Sequence, residues 1–192
     1  MLVNRLPSIT LAIFLALSLA ASDAKPATLT VSQSGREILV FATAQVAADN
    51  GTAWDVLTGY DNLPKFIPDM SVSRTLEREG PNALVLQSGR TGLGPFKQEF
   101  SLTLAVHEVW QQSVTARAVA GDFRRFESSY RLSADGIGHT RIEYSAVIEP
   151  DSGIPPLLGL PVMRSAIRAQ FEALLEEIDR RARGGAGRDG GY

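Results

Sequence analysis

Residues 160–180 read LPVMRSAIRAQFEALLEEIDR, and their spacing decides the fold class. Leu160, Met163, Ile167, Phe171, Leu174 and Ile178 recur every three or four positions, while Arg164, Arg168, Glu172, Glu176 and Arg180 fall largely elsewhere. The pattern predicts an amphipathic helix of about six turns, closed by Gly184-Gly185. The segments before it carry a different period. Phe100, Leu102, Leu104 and Val106 alternate with Ser101, Thr103, Ala105 and His107, as in a strand with one buried face. Strands with a period of two, followed by one long helix, make an α+β chain whose helix covers one face of a sheet.

Upstream, the same alternation begins at Glu37 with Ile38, Val40, Ala42, Ala44 and Val46 on one parity, and Asp49-Asn50-Gly51 interrupts it. Thr52 with Asp55 three positions on resembles a capping box, and Gly59, Pro64 and Pro68 keep the following helical pieces to two short ones. Asn50-Gly51-Thr52 also matches a glycosylation acceptor, but a turn and cap account for it. Met70–Glu77 and Ala83–Gly89 flank Gly80-Pro81-Asn82, a hairpin signal. Further strands are expected over Gln112–Val119, Phe123–Leu132 and Thr140–Glu149, the last after the turn Asp135-Gly136-Ile137-Gly138. Short connections imply antiparallel pairing of about six to seven strands. A sheet of that length can curl around the helix.

Composition sets the outer limits. The chain has 192 residues, 44% hydrophobic and 21% charged, with a net charge of -2. This suits one globular domain, and the charge argues against nucleic acid as the main partner. There is no cysteine and there are only two histidines, so thiolate metal sites and cysteine nucleophiles are excluded and no metal or other cofactor is expected. Arg5, the uncharged run Leu6–Ser22 and the small residues around Ser22-Asp23-Ala24 predict a signal peptide over 1–24, cleaved before Lys25. Export to a bacterial periplasm follows as an expectation, with no stable membrane span after cleavage. Residues 25–35 read as a flexible lead-in, 36–183 as the domain, and 184–192 as a disordered glycine-rich tail.

The chain resembles the START-like, helix-grip superfamily, and within it the polyketide cyclase/dehydrase and coenzyme Q-binding-like group. Ala53-Trp54-Asp55-Val56-Leu57-Thr58 and Tyr60-Asp61-Asn62-Leu63-Pro64-Lys65-Phe66-Ile67-Pro68-Asp69-Met70 carry the resemblance. Gly121-Asp122-Phe123-Arg124-Arg125-Phe126-Glu127, Thr140-Arg141-Ile142-Glu143-Tyr144 and the passage from Glu149-Pro150 to Ile154-Pro155-Pro156 extend it. Gly59 departs from a common aspartate, and Ser128 and Tyr130 from a common glycine and tryptophan. The resemblance implies a curved antiparallel sheet gripping the last helix around an apolar tunnel. It implies no single chemistry, since the superfamily includes carriers, sensors and enzymes.

Candidate ligand residues follow from both readings. Trp54, Tyr60 and Phe66 sit on the short helices, where the implied tunnel opens; Phe66 reads first as packing, while Trp54 and Tyr60 suit either packing or an aromatic wall. Phe100, Leu102, Leu104, Ile142 and Tyr144 form inward faces opposite Met163, Ile167 and Phe171, as core or as tunnel wall. Strand parity groups Arg124 with Phe126, Tyr130 and Leu132, which would aim a guanidinium inward to meet a carboxylate, carbonyl or phosphate. An Arg124 stem that packs while its head reaches water is the simpler alternative. His107 lies opposite the apolar parity and His139 lies in a turn. The glycine-rich stretch Gly89–Gly94 has no following helix and reads as a hairpin loop.

No G-x-S-x-G elbow, Walker sequence or H-E-x-x-H occurs, so no catalytic residue is assigned. The leading expectation is an exported, non-catalytic binding protein for a hydrophobic small molecule such as a quinone, lipid or polyketide-like compound. A cyclase or dehydratase using Tyr60, Tyr130, Tyr144, Arg124 or a histidine as proton donor is the enzyme alternative. An envelope protein acting through protein contacts, with its partner unknown, is the third.

Overall fold

The computed structural model describes residues 27–91, 98–151 and 156–186. Strands β1 (Thr28–Ser34) and β2 (Glu37–Val46) are followed by α1 (Asn50–Thr58) and a short 3-10 helix (Tyr60–Lys65). Six further strands come next: β3 (Met70–Glu79), β4 (Asn82–Thr91), β5 (Gln98–Val109), β6 (Ser113–Gly121), β7 (Phe123–Ala134) and β8 (Thr140–Pro150). Helix α2 (Pro156–Ala186) closes the domain. All eight strands form one antiparallel sheet in the order β1-β2-β8-β7-β6-β5-β4-β3, so β1 and β3 are unjoined edges of a curved, unclosed sheet.

The α+β class is as expected, with eight strands in place of six to seven. The extra one is β1, which occupies much of the segment read as a flexible lead-in. Only Leu29 and Val31 interrupt its polar residues, and Val31 alone is buried, so the strand lacks the alternation that marks β2. Its backbone is held by β2, with Val31 opposite Val40. Helix α1 begins one turn earlier than the Thr52 reading: Asp49 is the cap, its Oδ1 accepting from the Thr52 backbone N–H at 2.7 Å. Helix α2 likewise starts before Leu160 and runs through Gly184 to Ala186, which shortens the proposed tail. The segment 1–24 and residues 187–192 lie outside the described residues, as do residues 92–97, which include the second half of the glycine-rich stretch.

The core forms between the concave face of the sheet and α2. Ile38, Val40, Ala42, Ala44 and Val46 of β2 are all buried, as are Leu102, Leu104 and Val106 of β5, in keeping with their alternation. Phe171, Leu174 and Ile178 of α2 pack into one cluster with β2, β4, β5, β6 and β8, while Met163 joins Val31, Ile38, Val40, Ala146 and Ile148 in a second. The two clusters follow successive turns of α2, so the helix is gripped along its apolar stripe.

Two local devices shape the sheet around this core. Gly80-Pro81 turns β3 into β4, with Gly80 at a φ of 53° that suits glycine. At the other end, Gly121 has a φ of 118°, and a Cβ there would overlap the Ser101 carbonyl of β5. Asp122 then ties the β6–β7 turn to β5. It donates its N–H to the Ser101 carbonyl at 3.0 Å and accepts from the Ser101 N–H on Oδ2 at 2.7 Å. Regular pairing of β6 with β7 stops at Arg117 and Glu127, short of the turn.

Candidate functional site

The concave side of the sheet is not completely filled. Two adjoining lobes, of about 160 and 110 Å³, lie between the sheet and α2. The near lobe lies under the short helices and is walled by Leu57, Tyr60, Leu63, Leu104, Tyr130 and Tyr144, among others. The far lobe lies under the first half of α2, with Phe100, Leu102, Phe123, Ile148, Met163 and Ile167 around it. Met70, Gln87, Phe126 and Gln170 line both and form the waist between them.

The short 3-10 helix roofs the near lobe because its polar groups are pinned outside. Asp61 accepts from both the N–H and the hydroxyl of Thr75 on β3, at 3.0 and 2.8 Å, and Thr75 holds its carboxyl below the ordinary carboxylate range. Tyr60 donates to Glu108 Oε1 at 2.7 Å, and the Arg78 guanidinium holds Glu108 Oε2 at 3.0 Å and lies 5.7 Å over the Tyr60 ring. Burial, then the hydrogen bond and negative charge of Glu108, push the Tyr60 phenol above its usual range. Its ring thus walls the lobe while its hydroxyl is committed to Glu108.

Deeper in, Tyr130 and Tyr144 are partners across β7 and β8, with ring centroids 4.5 Å apart, and Phe171 of α2 stacks behind Tyr144 at 6.3 Å. In the far lobe, Phe123 bridges Phe100 and Phe126 through edge contacts at 6.2 and 5.9 Å. Among the described residues, no charged side chain lines either lobe, and no group of three or more histidine or acidic residues is placed to hold a metal.

Nine of the fourteen candidates line the lobes: Tyr60, Phe100, Leu102, Leu104, Phe126, Tyr130, Tyr144, Met163 and Ile167. Five do not. Trp54, Ile142 and Phe171 are core residues whose space is filled by neighbours, and Phe66 packs at the edge of that cluster. Arg124 faces outward, with Nε bonded to Asp151 Oδ1 at 2.8 Å. The reason is a break in register between Phe123 and Arg125: this bulge puts Phe123 and Phe126 in aromatic contact inside and turns Arg124 out. Gln87 and Gln170 lie outside the candidate set, although both carry a signal in the sequence: Gln87 shares the parity of buried Ala83 and Val85, and Gln170 falls between Ile167 and Leu174 on the apolar stripe.

A wider depression of about 710 Å³ lies on the outer face of the sheet, among Leu39, His107, Thr115, Arg117, Glu127 and Ser145. It is a saddle of the twisted surface, open to solvent, and offers an apolar ligand little enclosure. His107 there bonds Asn82 at 2.9 Å, and His139 bonds the Ile137 carbonyl within its turn. Phe41 and Leu39 are partly exposed on the same face, as single apolar residues commonly are.

A curved antiparallel sheet gripping a C-terminal helix over an internal cavity defines the START-like, helix-grip class. The chain belongs to the polyketide cyclase/dehydrase and lipid transport family, whose model matches residues 46–175. No curated protein sequence matches it. Among solved structures it is similar to the Zhui aromatase/cyclase from a Streptomyces species, at 13% identity and a TM-score of 0.66, covering 81% of this chain and 99% of that one. It is also similar to a START superfamily protein from Mycobacterium smegmatis, at 17% identity and a TM-score of 0.60, covering 76% and 97%. A STAR-related lipid transfer protein fragment from Xanthomonas axonopodis matches at 11% identity and a TM-score of 0.56, covering 78% and 98%. At these identities the likeness is one of fold.

Proposed function

We propose that this protein binds a hydrophobic small molecule between the sheet and α2 and acts as a carrier rather than a catalyst. The observation that carries the reading is the two-lobed cavity, walled by aromatic and aliphatic side chains and containing only neutral polar groups among the described residues. Binding would be driven by removal of apolar surface from water, about 25 cal/mol per Å². The lobes are small beside the ~300–1,000 Å³ usual for ligand pockets. Each therefore suits one ring or a short chain, and a longer ligand has to part Met70, Phe126 and Gln170 at the waist. Family membership and the lipid-transfer and cyclase relatives are consistent with a ligand of quinone, lipid or polyketide type.

The cyclase alternative has one observation in its favour, the Tyr130 and Tyr144 phenols on the near lobe. Burial raises both above their usual range, which makes them weaker acids near neutrality and favours the carrier reading. Export completes the proposal, resting on Arg5, the uncharged run Leu6–Ser22 and Ser22-Asp23-Ala24. Mass spectrometry of lipophilic material extracted from the exported protein tests both parts. A stoichiometric apolar compound and a chain starting near Lys25 are expected. No bound compound and no binding of apolar probes would overturn the carrier reading, and a full-length chain in the membrane pellet would overturn export.

A further inference from the structure

The near lobe carries two further phenols, those of Tyr130 and Tyr144. They stand side by side as cross-strand partners, half-buried, so both keep some accessible surface. Neither hydroxyl has a hydrogen-bond partner among the described residues, whereas the third phenol of the lobe, Tyr60, is bonded to Glu108. Among those residues, the one fully occluded side-chain polar atom without a partner is Asp179 Oδ1. The two phenol oxygens are therefore not sealed against carbon. Both side chains line the near lobe, the space beside them that is left unfilled.

Unbonded hydroxyls in an apolar chamber are unusual, because an unpaired buried polar group is costly. Burial holds both in the protonated form, Tyr144 up to about 12, so each remains a donor across the physiological range. Gln170 of α2, which also has no partner among the described residues, presents an amide at the waist. The far lobe has a different character, with Phe100, Phe123, Met163 and Ile167 offering only apolar contact.

Resting on the carrier reading above, we infer that Tyr130 and Tyr144 select and orient a ligand bearing a carbonyl or hydroxyl oxygen on a ring. The ring occupies the near lobe with its oxygen accepting from the two phenols, and any apolar extension passes the waist into the far lobe. The unoxygenated hydrocarbon of the same shape leaves both donors unsatisfied and is discriminated against.

The test is calorimetric titration of the protein with 1-tetralone and with tetralin, which share a ring skeleton and differ in one carbonyl. The wild type is expected to bind 1-tetralone about tenfold more tightly, the worth of one or two neutral hydrogen bonds. In the Tyr130→Phe/Tyr144→Phe double variant that ratio should fall to about one, through loss of 1-tetralone affinity. The single variants should each lose part of it, and should melt no lower than the wild type, because neither hydroxyl bonds a protein group among the described residues. Equal binding of the two probes by the wild type, or a ratio that survives in the double variant, overturns the orienting role and leaves the carrier reading standing. A drop of several degrees in either single variant also overturns it, by showing the hydroxyl engaged within the protein. Failure of both probes to bind removes the carrier reading itself.

Discussion

Tyr60 donates its phenol proton to Glu108 at 2.7 Å, so the roof of the near lobe is fastened to β5 from outside the cavity. Arg78 holds the other carboxylate oxygen, but its side chain is 41% exposed and its ion pair contributes little alone. Tyr60→Phe should therefore cost about 1.5–2 kcal/mol, the lower part of the range for hydrogen bonds to charged groups. Chemical denaturation checks this. Arg78→Ala should cost less than Tyr60→Phe, and the reverse order would show that the ion pair fastens the roof.

Alkaline stability follows from the same tyrosines. The phenols of Tyr60, Tyr130 and Tyr144 are all raised above the ordinary value of 10.0, chiefly by burial. A folded-state value above the unfolded one means that the folded protein holds more protons once the unfolded chain starts to ionise. The contribution is complete below about pH 10 and is lost as pH rises towards the folded values. Unfolding free energy should thus fall steadily above pH 10, and absorbance titration should show these three phenols ionising late. Ionisation of more than one of the chain's four tyrosines near pH 10 in the folded protein would contradict their burial.

Phe171 and Ile167 are one turn apart on α2 and should respond differently. Phe171 is 4% exposed in the filled part of the core, so Phe171→Ala should cost about 3–5 kcal/mol. Ile167 borders the far lobe, where a larger side chain has space to enter. Ile167→Trp should keep the melting temperature within a few degrees while weakening long-chain apolar probes more than single-ring ones. Severe destabilisation by the tryptophan would show that the far lobe cannot open.

Gly121 offers a test of how the sheet is bent. An added Cβ would overlap the Ser101 carbonyl, and the φ of 118° is one that side chains rarely adopt. Gly121→Ala should push the β6–β7 turn off β5 and break the pair of Ser101–Asp122 hydrogen bonds, at a cost of more than about 2 kcal/mol. The urea midpoint measures it. Gly80→Ala, where nothing lies within 4 Å of the added Cβ, should cost less.

What the sequence determined by itself is whatever depends on neighbours along the chain. Apolar residues every second position in β2, β5 and β8, and every three or four in α2, state which face of each element avoids water, and those faces are buried. A sheet covered by one helix follows from that count of faces. The quiet strand β1 escaped because an edge strand with one buried residue is held by backbone pairing, which leaves little mark on side-chain pattern.

The site depended on neighbours across the fold. Phe171 and Ile167 share one apolar stripe, yet one meets close-packed side chains and the other a lobe. Arg124 shares a parity with Phe126 in the chain, but one bulge reverses it. Tyr130 and Tyr144 are fourteen positions apart, and only the β7–β8 register sets their rings together. Periodicity states that a residue points inward, while the register and curvature of distant segments decide whether it meets another side chain or open space.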